Sequence, residues 1–150
     1  MIVLALDTAG VDCAAAIYDS GRNTMLGEAS DMIGKGHAEH LMGIVDRALD
    51  QAGVTLSDVD RLAVTIGPGS FTGIRVGVAA ARGFALSLDI PAVGITTLEV
   101  MAAAQREKTL SIRRAGNYRL PGWGGTLIAR RVQEGGLTIR QAAHLHLAER

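Results

Sequence analysis

Gly67-Pro68-Gly69-Ser70-Phe71-Thr72-Gly73-Ile74-Arg75-Val76-Gly77 stands between an apolar run, Leu62-Ala63-Val64-Thr65-Ile66, and a proline-free, alanine-rich stretch from Phe71 to Leu88. The first reads as a buried strand and the second as a helix, so the glycines mark a strand-to-helix turn. Residues without a Cβ adopt left-handed angles and let two backbones approach closely, and Ser70 can cap the helix's first free amides. Such a turn can cradle an anion. Its amides and the positive end of the helix dipole favour phosphate or carboxylate, and Arg75, about one turn further on, can add a full charge. Gly67, Gly69 and Ser70 are therefore candidate anion- or nucleotide-binding residues. Tight strand-to-helix packing asks for the same glycines, and spacing alone leaves the two readings level.

Working outward, Ile2 to Asp7, Cys13 to Asp19 and Thr24 to Ser30 read as three strands, the last two joined by Ser20-Gly21-Arg22-Asn23. A helix follows from about Ala38 to Ala52. Its apolar positions Leu41, Ile44, Val45, Ala48, Leu49 and Ala52 keep the three-four spacing of one buried face, and Gly53 ends it. After the glycine turn and its helix comes a strand, Ala92 to Thr96, then a short helix from about Leu98, with Thr96 and Glu99 at capping-box spacing. Three strands followed by helix, strand, helix, strand, helix predict an α/β domain in which helices cover a mixed sheet.

The chain has 150 residues, 48% of them hydrophobic and 20% charged. That is globular composition, long enough for one packed domain with an appendage and too short for two full ones. No unbroken apolar run reaches the roughly 18 residues a membrane helix needs. The N-terminus opens directly into Ile2-Val3-Leu4-Ala5-Leu6-Asp7, so a cytoplasmic protein with no membrane partner is expected. Cys13, within an apolar strand, reads as a small buried residue rather than a reactive thiol. The formal net charge of zero hides a break. Residues 1–104 carry six Lys/Arg against twelve Asp/Glu, whereas residues 105–150 carry nine against three and no aspartate. The boundary divides a domain at 1–104 from an atypical basic, Arg/Gly-rich tail at 105–150.

Asp7-Thr8 ends the first strand, where α/β sheets place ligand-facing groups. The carboxylate can hold a magnesium ion through water beside a nucleotide, or cap the next turn, and without a second acidic site the cap is favoured. His37 and His40, three apart at a helix start, are near enough to share a metal. No third ligand is spaced convincingly nearby, so polar or capping histidines are favoured. Gly73, Gly77, Ala81 and Ala85 recur every fourth residue as a stripe of minimal side chains that lets another helix approach closely, from this chain or from a partner. Arg75 and Arg82 lie on a neighbouring line. No Ser-His-Asp or Cys-His arrangement assembles, and no Gly-Lys-Ser/Thr phosphate loop or dinucleotide fingerprint is present.

Four segments in order, Ile2 to Thr8, Gly36-His37-Ala38-Glu39-His40-Leu41, Gly67 to Gly77 and Ile90 to Glu99, together resemble the bacterial TsaB (YeaZ) family over residues 1 to about 104. The resemblance implies the actin, Hsp70 and sugar-kinase (ribonuclease H-like) fold with the second domain cut short. It implies a non-catalytic role in making threonylcarbamoyl-adenosine beside the anticodon of tRNAs that read codons beginning with A. In that role the family pairs through its first-domain helices with the paralogue TsaD, which carries the metal site; TsaE joins them, and tRNA is met through the complex. A homodimer through the same helices is a further expectation. His37, His40, Leu41, Gly73, Arg75, Gly77 and Ala81 are then read as partner-facing, and Gly77→Arg is expected to abolish the complex without unfolding the domain. No cofactor of the chain's own is expected, ATP with magnesium belonging to the complex. The rival readings are an ATP-binding hydrolase using Asp7 and the glycine turn, a glycoprotease-like peptidase, and a truncated product without function.

After Ala104 the likeness to that family ends by eye. The tail reads either as an appendage that attracts tRNA phosphate or as the product of a frameshift in a GC-rich gene. The frameshift is favoured, because the tail lacks the interleaved aromatics that stack on bases.

Overall fold

The computed structural model describes residues 1–34 and 36–100, and the tail with its competing readings lies outside the described residues. Strands β1 (Ile2–Asp7), β2 (Asp12–Asp19) and β3 (Thr24–Met32) form an antiparallel meander, with an irregularity in the β2–β3 register between Ile17 and Tyr18. Helix α1 (His37–Ala52) leads through a short 3-10 turn, Leu56–Asp58, to β4 (Arg61–Thr65). Helix α2 (Phe71–Leu88) then leads to β5 (Ala92–Ile95), and a further helix opens at 97–100. The sheet order is β3-β2-β1-β4-β5, with β4 parallel to both β1 and β5. This is the mixed, helix-covered sheet that the element order predicts.

Alternation along β1 and β2 divides the core by face, because successive strand side chains point to opposite sides. Leu4, Leu6, Cys13, Ala15 and Ile17 meet the α1 ridge of Leu41, Ile44, Val45, Ala48 and Leu49, with α2 beside it. Val3, Ala5, Ala14, Ala16, Tyr18 and Ala63 form a second buried cluster with Ile95 and Val100 on the other face. Helix α1 lies close on β3 because Gly27 has no Cβ; one there would stand 2.3 Å from the Ala48 carbonyl oxygen. Gly53 ends α1 in the left-handed region, φ 65°, where an L side chain is strained. The capping box at Thr96 is formed: the Glu99 carboxylate accepts from the Thr96 amide at 2.8 Å, and the Thr96 hydroxyl accepts from the Glu99 amide at 3.1 Å.

Helix α2 corrects one expectation. Its 18 residues are long and apolar enough, by length and composition alone, to cross a membrane, although Arg75 and Arg82 interrupt any unbroken apolar run. Only 17% of the helix is buried. It rests on the sheet through Gly73, Gly77 and Ala81 and presents much of its remaining apolar surface outward.

Candidate functional site

The carboxyl end of β1 and the start of α2 are knotted together. Asp7 and Thr8 are buried. One Asp7 oxygen accepts from the Ala9 amide at 3.0 Å and from the Thr65 hydroxyl of β4 at 2.7 Å, which is the turn cap the sequence favours. The Thr8 hydroxyl donates to the Gly73 carbonyl at 2.7 Å, and the Ser70 amide donates to the Ala9 carbonyl at 2.7 Å. Ser70 caps α2 as expected, its hydroxyl accepting from the Gly73 amide at 3.1 Å. A Cβ on Gly69 would stand 2.3 Å from the Ala9 carbonyl oxygen, one on Gly73 2.0 Å from that of Thr8, and one on Gly77 2.3 Å from the Thr8 hydroxyl. Cβ atoms do not come that close to other atoms, so these glycines are required by packing onto residues 8 and 9. Gly67, at the cis peptide to Pro68, accepts from the Thr97 amide at 2.8 Å and holds the next helix start. Below Asp7, a crevice between β1, β4 and β5 has a volume of about 10 Å³, room for about one water.

The same geometry corrects the partner-facing set. Gly73, Gly77 and Ala81 are buried, and Gly73 and Gly77 face Thr8, with Val64 of β4 also beside Gly77. His37 and Leu41 are buried as well, whereas His40 and Arg75 are exposed. A four-residue repeat of small side chains shows that something approaches that line closely; here it is the chain's own sheet. Gly77→Arg would therefore drive a charged side chain into Thr8 and Val64 and disrupt the fold itself. His37 and His40 point into different surroundings, one buried and one exposed, and among the described residues no three His, Cys, Asp or Glu side chains are placed to hold a metal.

Sequence reasoning missed two features. The first is Asp12, an acid opening an apolar strand. It is buried on the same sheet face as Asp7, and its Oδ2 and the His37 Nε2 find no hydrogen-bond partner among the described residues. Burial pushes the Asp12 carboxyl above its usual range; the Asp7 charge adds to the rise, and His37 opposes it. The second is the outer surface of the helix layer, where Phe71, Leu86 and Met42 are 74%, 83% and 45% exposed. The Arg75 guanidinium lies 5.1 Å from the centre of the Phe71 ring, a cation–π contact. The signal for this surface was available: Phe71 and Leu86 are large apolar residues that lie off the small-residue line of Gly73, Gly77 and Ala81.

The family model for TsaD, tRNA N6-adenosine threonylcarbamoyltransferase, matches residues 29–118 of the chain. TsaB, a tRNA threonylcarbamoyladenosine biosynthesis protein of Escherichia coli K12, is 34% identical over 113 residues, which is 75% of this chain and 48% of that one. The chain belongs to the TsaD-type family, among its TsaB (YeaZ) members. YeaZ from Pseudomonas aeruginosa superposes with a TM-score of 0.65 at 37% identity, over 72% of this chain and 50% of that one. The chain thus spans about half the length of the TsaB relatives it matches. RuvC from Thermus thermophilus, at a TM-score of 0.56 and 14% identity over 99% of this chain and 96% of that one, shares the fold alone. Sheet order and these likenesses together give the actin, Hsp70 and sugar-kinase (ribonuclease H-like) class.

Proposed function

We propose that this chain works in threonylcarbamoyl-adenosine formation on tRNA as a non-catalytic subunit that docks on TsaD through the outer faces of α1 and α2. The observation that carries the reading is the exposed apolar surface of α2, where Phe71 and Leu86 stand in solvent; Met42 of α1 is exposed as well. Large apolar side chains left exposed along one helix mark an interaction site. A supporting role fits the knot at Asp7 and Thr8, where the groups that a nucleotide would need are engaged in holding β1 to α2. TsaE, tRNA, and ATP with magnesium then belong to the assembled complex in the cytoplasm rather than to this chain's own cleft.

Co-purification with TsaD tests the proposal. Leu86→Asp is expected to abolish the complex while leaving the circular dichroism of the chain unchanged, since the side chain touches little of its own fold. Unchanged binding by Leu86→Asp and Arg82→Glu together would remove the docking claim. Turnover of ATP by the isolated chain, lost in Asp7→Ala, would favour the hydrolase reading instead.

A further inference from the structure

Helix α1 begins without the fastening that the later helix starts have. Ser70 caps α2, and the Thr96 and Glu99 box caps the helix that opens at 97. At the N-cap of α1 stands Gly36, in the left-handed region at φ 84°, with no side-chain cap bond. The first side chain of α1 is His37, which is only 6% exposed and whose Nε2 finds no hydrogen-bond partner among the described residues. Asp12, which opens β2 opposite Met32 of β3, is 8% exposed, and its Oδ2 finds none either. His37 is near enough to act on the Asp12 charge. An acid and a base thus stand buried and unsatisfied where α1 begins.

A buried carboxylate without a partner is costly, and a buried imidazole without one is costly too. One proton removes both costs. Held between the two groups, it leaves them as carboxylate and imidazolium or as carboxylic acid and imidazole, neutral overall in either arrangement. The surrounding charges decide when that proton is held. Burial first, and then Asp7 of β1 on the same sheet face, push the Asp12 carboxyl above its ordinary range, and His37 of α1 opposes the rise. Among the described residues β3 adds Asp31, which Arg47 of α1 holds at 2.6 Å, and the first turn of α1 adds Glu39 and His40, both exposed. Cys13, next to Asp12, points to the other sheet face, into the α1 ridge.

We propose that Asp12 and His37 hold one proton between them through a single ordered water, and that this couple seats the first turn of α1 on the start of β2. It stands apart from the docking reading above. A water needs a small number of polar partners, and Oδ2 and Nε2 supply two. The proton comes from solvent and returns to it, so only an O–H or N–H bond is made or broken. Because the folded carboxyl binds its proton more tightly than the unfolded one, the seat is firm at low pH and is lost as pH rises through the folded titration. Once the proton has left, a carboxylate is buried beside a neutral imidazole, and the start of α1 loosens.

Nuclear magnetic resonance on the full chain, from about pH 4 to 7, tests the couple. The Asp12 carboxyl carbon and the His37 ring nitrogens are expected to change over one shared step, as coupled groups do. The amides of Leu41 and Met42, which close the first helical bonds onto residues 37 and 38, are expected to lose exchange protection as that step is passed. Asp12→Asn, neutral throughout, is expected to keep the fold and abolish this pH dependence. His37→Gln is expected to move the Asp12 step up. Asp7→Asn is expected to move it down, since the asparagine oxygen can still accept from the Ala9 amide and the Thr65 hydroxyl. Separate steps, each untouched by substitution of the other group, would overturn the couple. A shared step with level protection at Leu41 and Met42 would overturn the seat, and a high-resolution crystal structure with no water between Oδ2 and Nε2 would overturn the bridge.

Discussion

Gly77→Ala is the sharpest probe of how α2 is fastened to the sheet. A methyl group there would stand 2.3 Å from the Thr8 hydroxyl oxygen, so that hydroxyl must leave the place from which it donates to the Gly73 carbonyl at 2.7 Å. Thr8 is fully buried, and a displaced hydroxyl finds no water. Losing that bond with the hydroxyl left unsatisfied costs about 1–3 kcal/mol. Crowding of the packed site costs about 1–3 kcal/mol more. Alanine's better helix propensity returns about 1 kcal/mol. The net is a destabilisation of about 1–5 kcal/mol, read as a lower midpoint in urea with an unchanged slope. The mechanism is checked by adding Thr8→Ala. That change removes the clashing oxygen and leaves the Thr8 Cβ 3.5 Å and a Val64 methyl 3.4 Å from the new methyl, ordinary contacts. The double variant is then more stable than the sum of the single effects implies, with a coupling of about 1–3 kcal/mol. Additivity within about 0.5 kcal/mol would show that the Thr8 hydroxyl is not what excludes a side chain at position 77.

Other expectations follow from single contacts. Asp12→Asn should raise stability at neutral pH, because burial and the Asp7 charge disfavour the ionised carboxyl despite His37. With a folded pKa above the usual 3.8, the parent binds more protons folded than unfolded in that window and so loses stability as pH rises through it. Urea titrations between pH 4 and 7 should show that loss in the parent and not in the variant; parallel profiles would refute it. Thr65→Val removes the hydroxyl that donates to Asp7 and is expected to destabilise the fold by about 2 kcal/mol, measured by urea unfolding. Cys13, whose thiol burial pushes up to about 11, should resist a thiol reagent at pH 8 until the chain is unfolded, and prompt native labelling would contradict its place in the core.

Much of the architecture was legible because the signals were local. The α1 ridge from Leu41 to Leu49 is buried as its spacing predicts, the strands lie where their apolar runs lie, and the capping residues Ser70 and Thr96 do their work within a few residues of themselves. The candidate site was less legible, because its parts meet across the chain. That Thr65 answers Asp7, 58 positions away, and that Thr8 answers Gly73, 65 positions away, are facts of strand order that no short window contains. The burial of Asp12 and His37 has the same origin: each looks like a surface polar residue until the link between β3 and α1 is tied back to β2's approach, the Val11 carbonyl accepting from the Ile33 and Gly34 amides.

The glycines show why a motif can name a family and still mislead about a surface. Spacing reports that a side chain is missing, and the reason lies in whichever atom would occupy its space. For Gly69, Gly73 and Gly77 that atom belongs to Ala9 or Thr8, so the most recognisable stretch of the chain looks inward and fastens α2 to β1. Inward glycines also set the height of α2 above the sheet. The helix rests on the sheet through glycine and alanine and leaves Phe71, Ala79, Gly83 and Leu86 outside. The close packing that keeps Gly77 off the proposed docking surface thus fixes how far that surface stands from the sheet. Replacing Ala81, buried at 1% exposure, with Leu should lift α2 and weaken the proposed TsaD binding although residue 81 faces the chain's own core. Equal weakening of binding and of stability would mark simple unfolding, whereas binding lost before the fold is lost would show that the height of α2 shapes the face it offers.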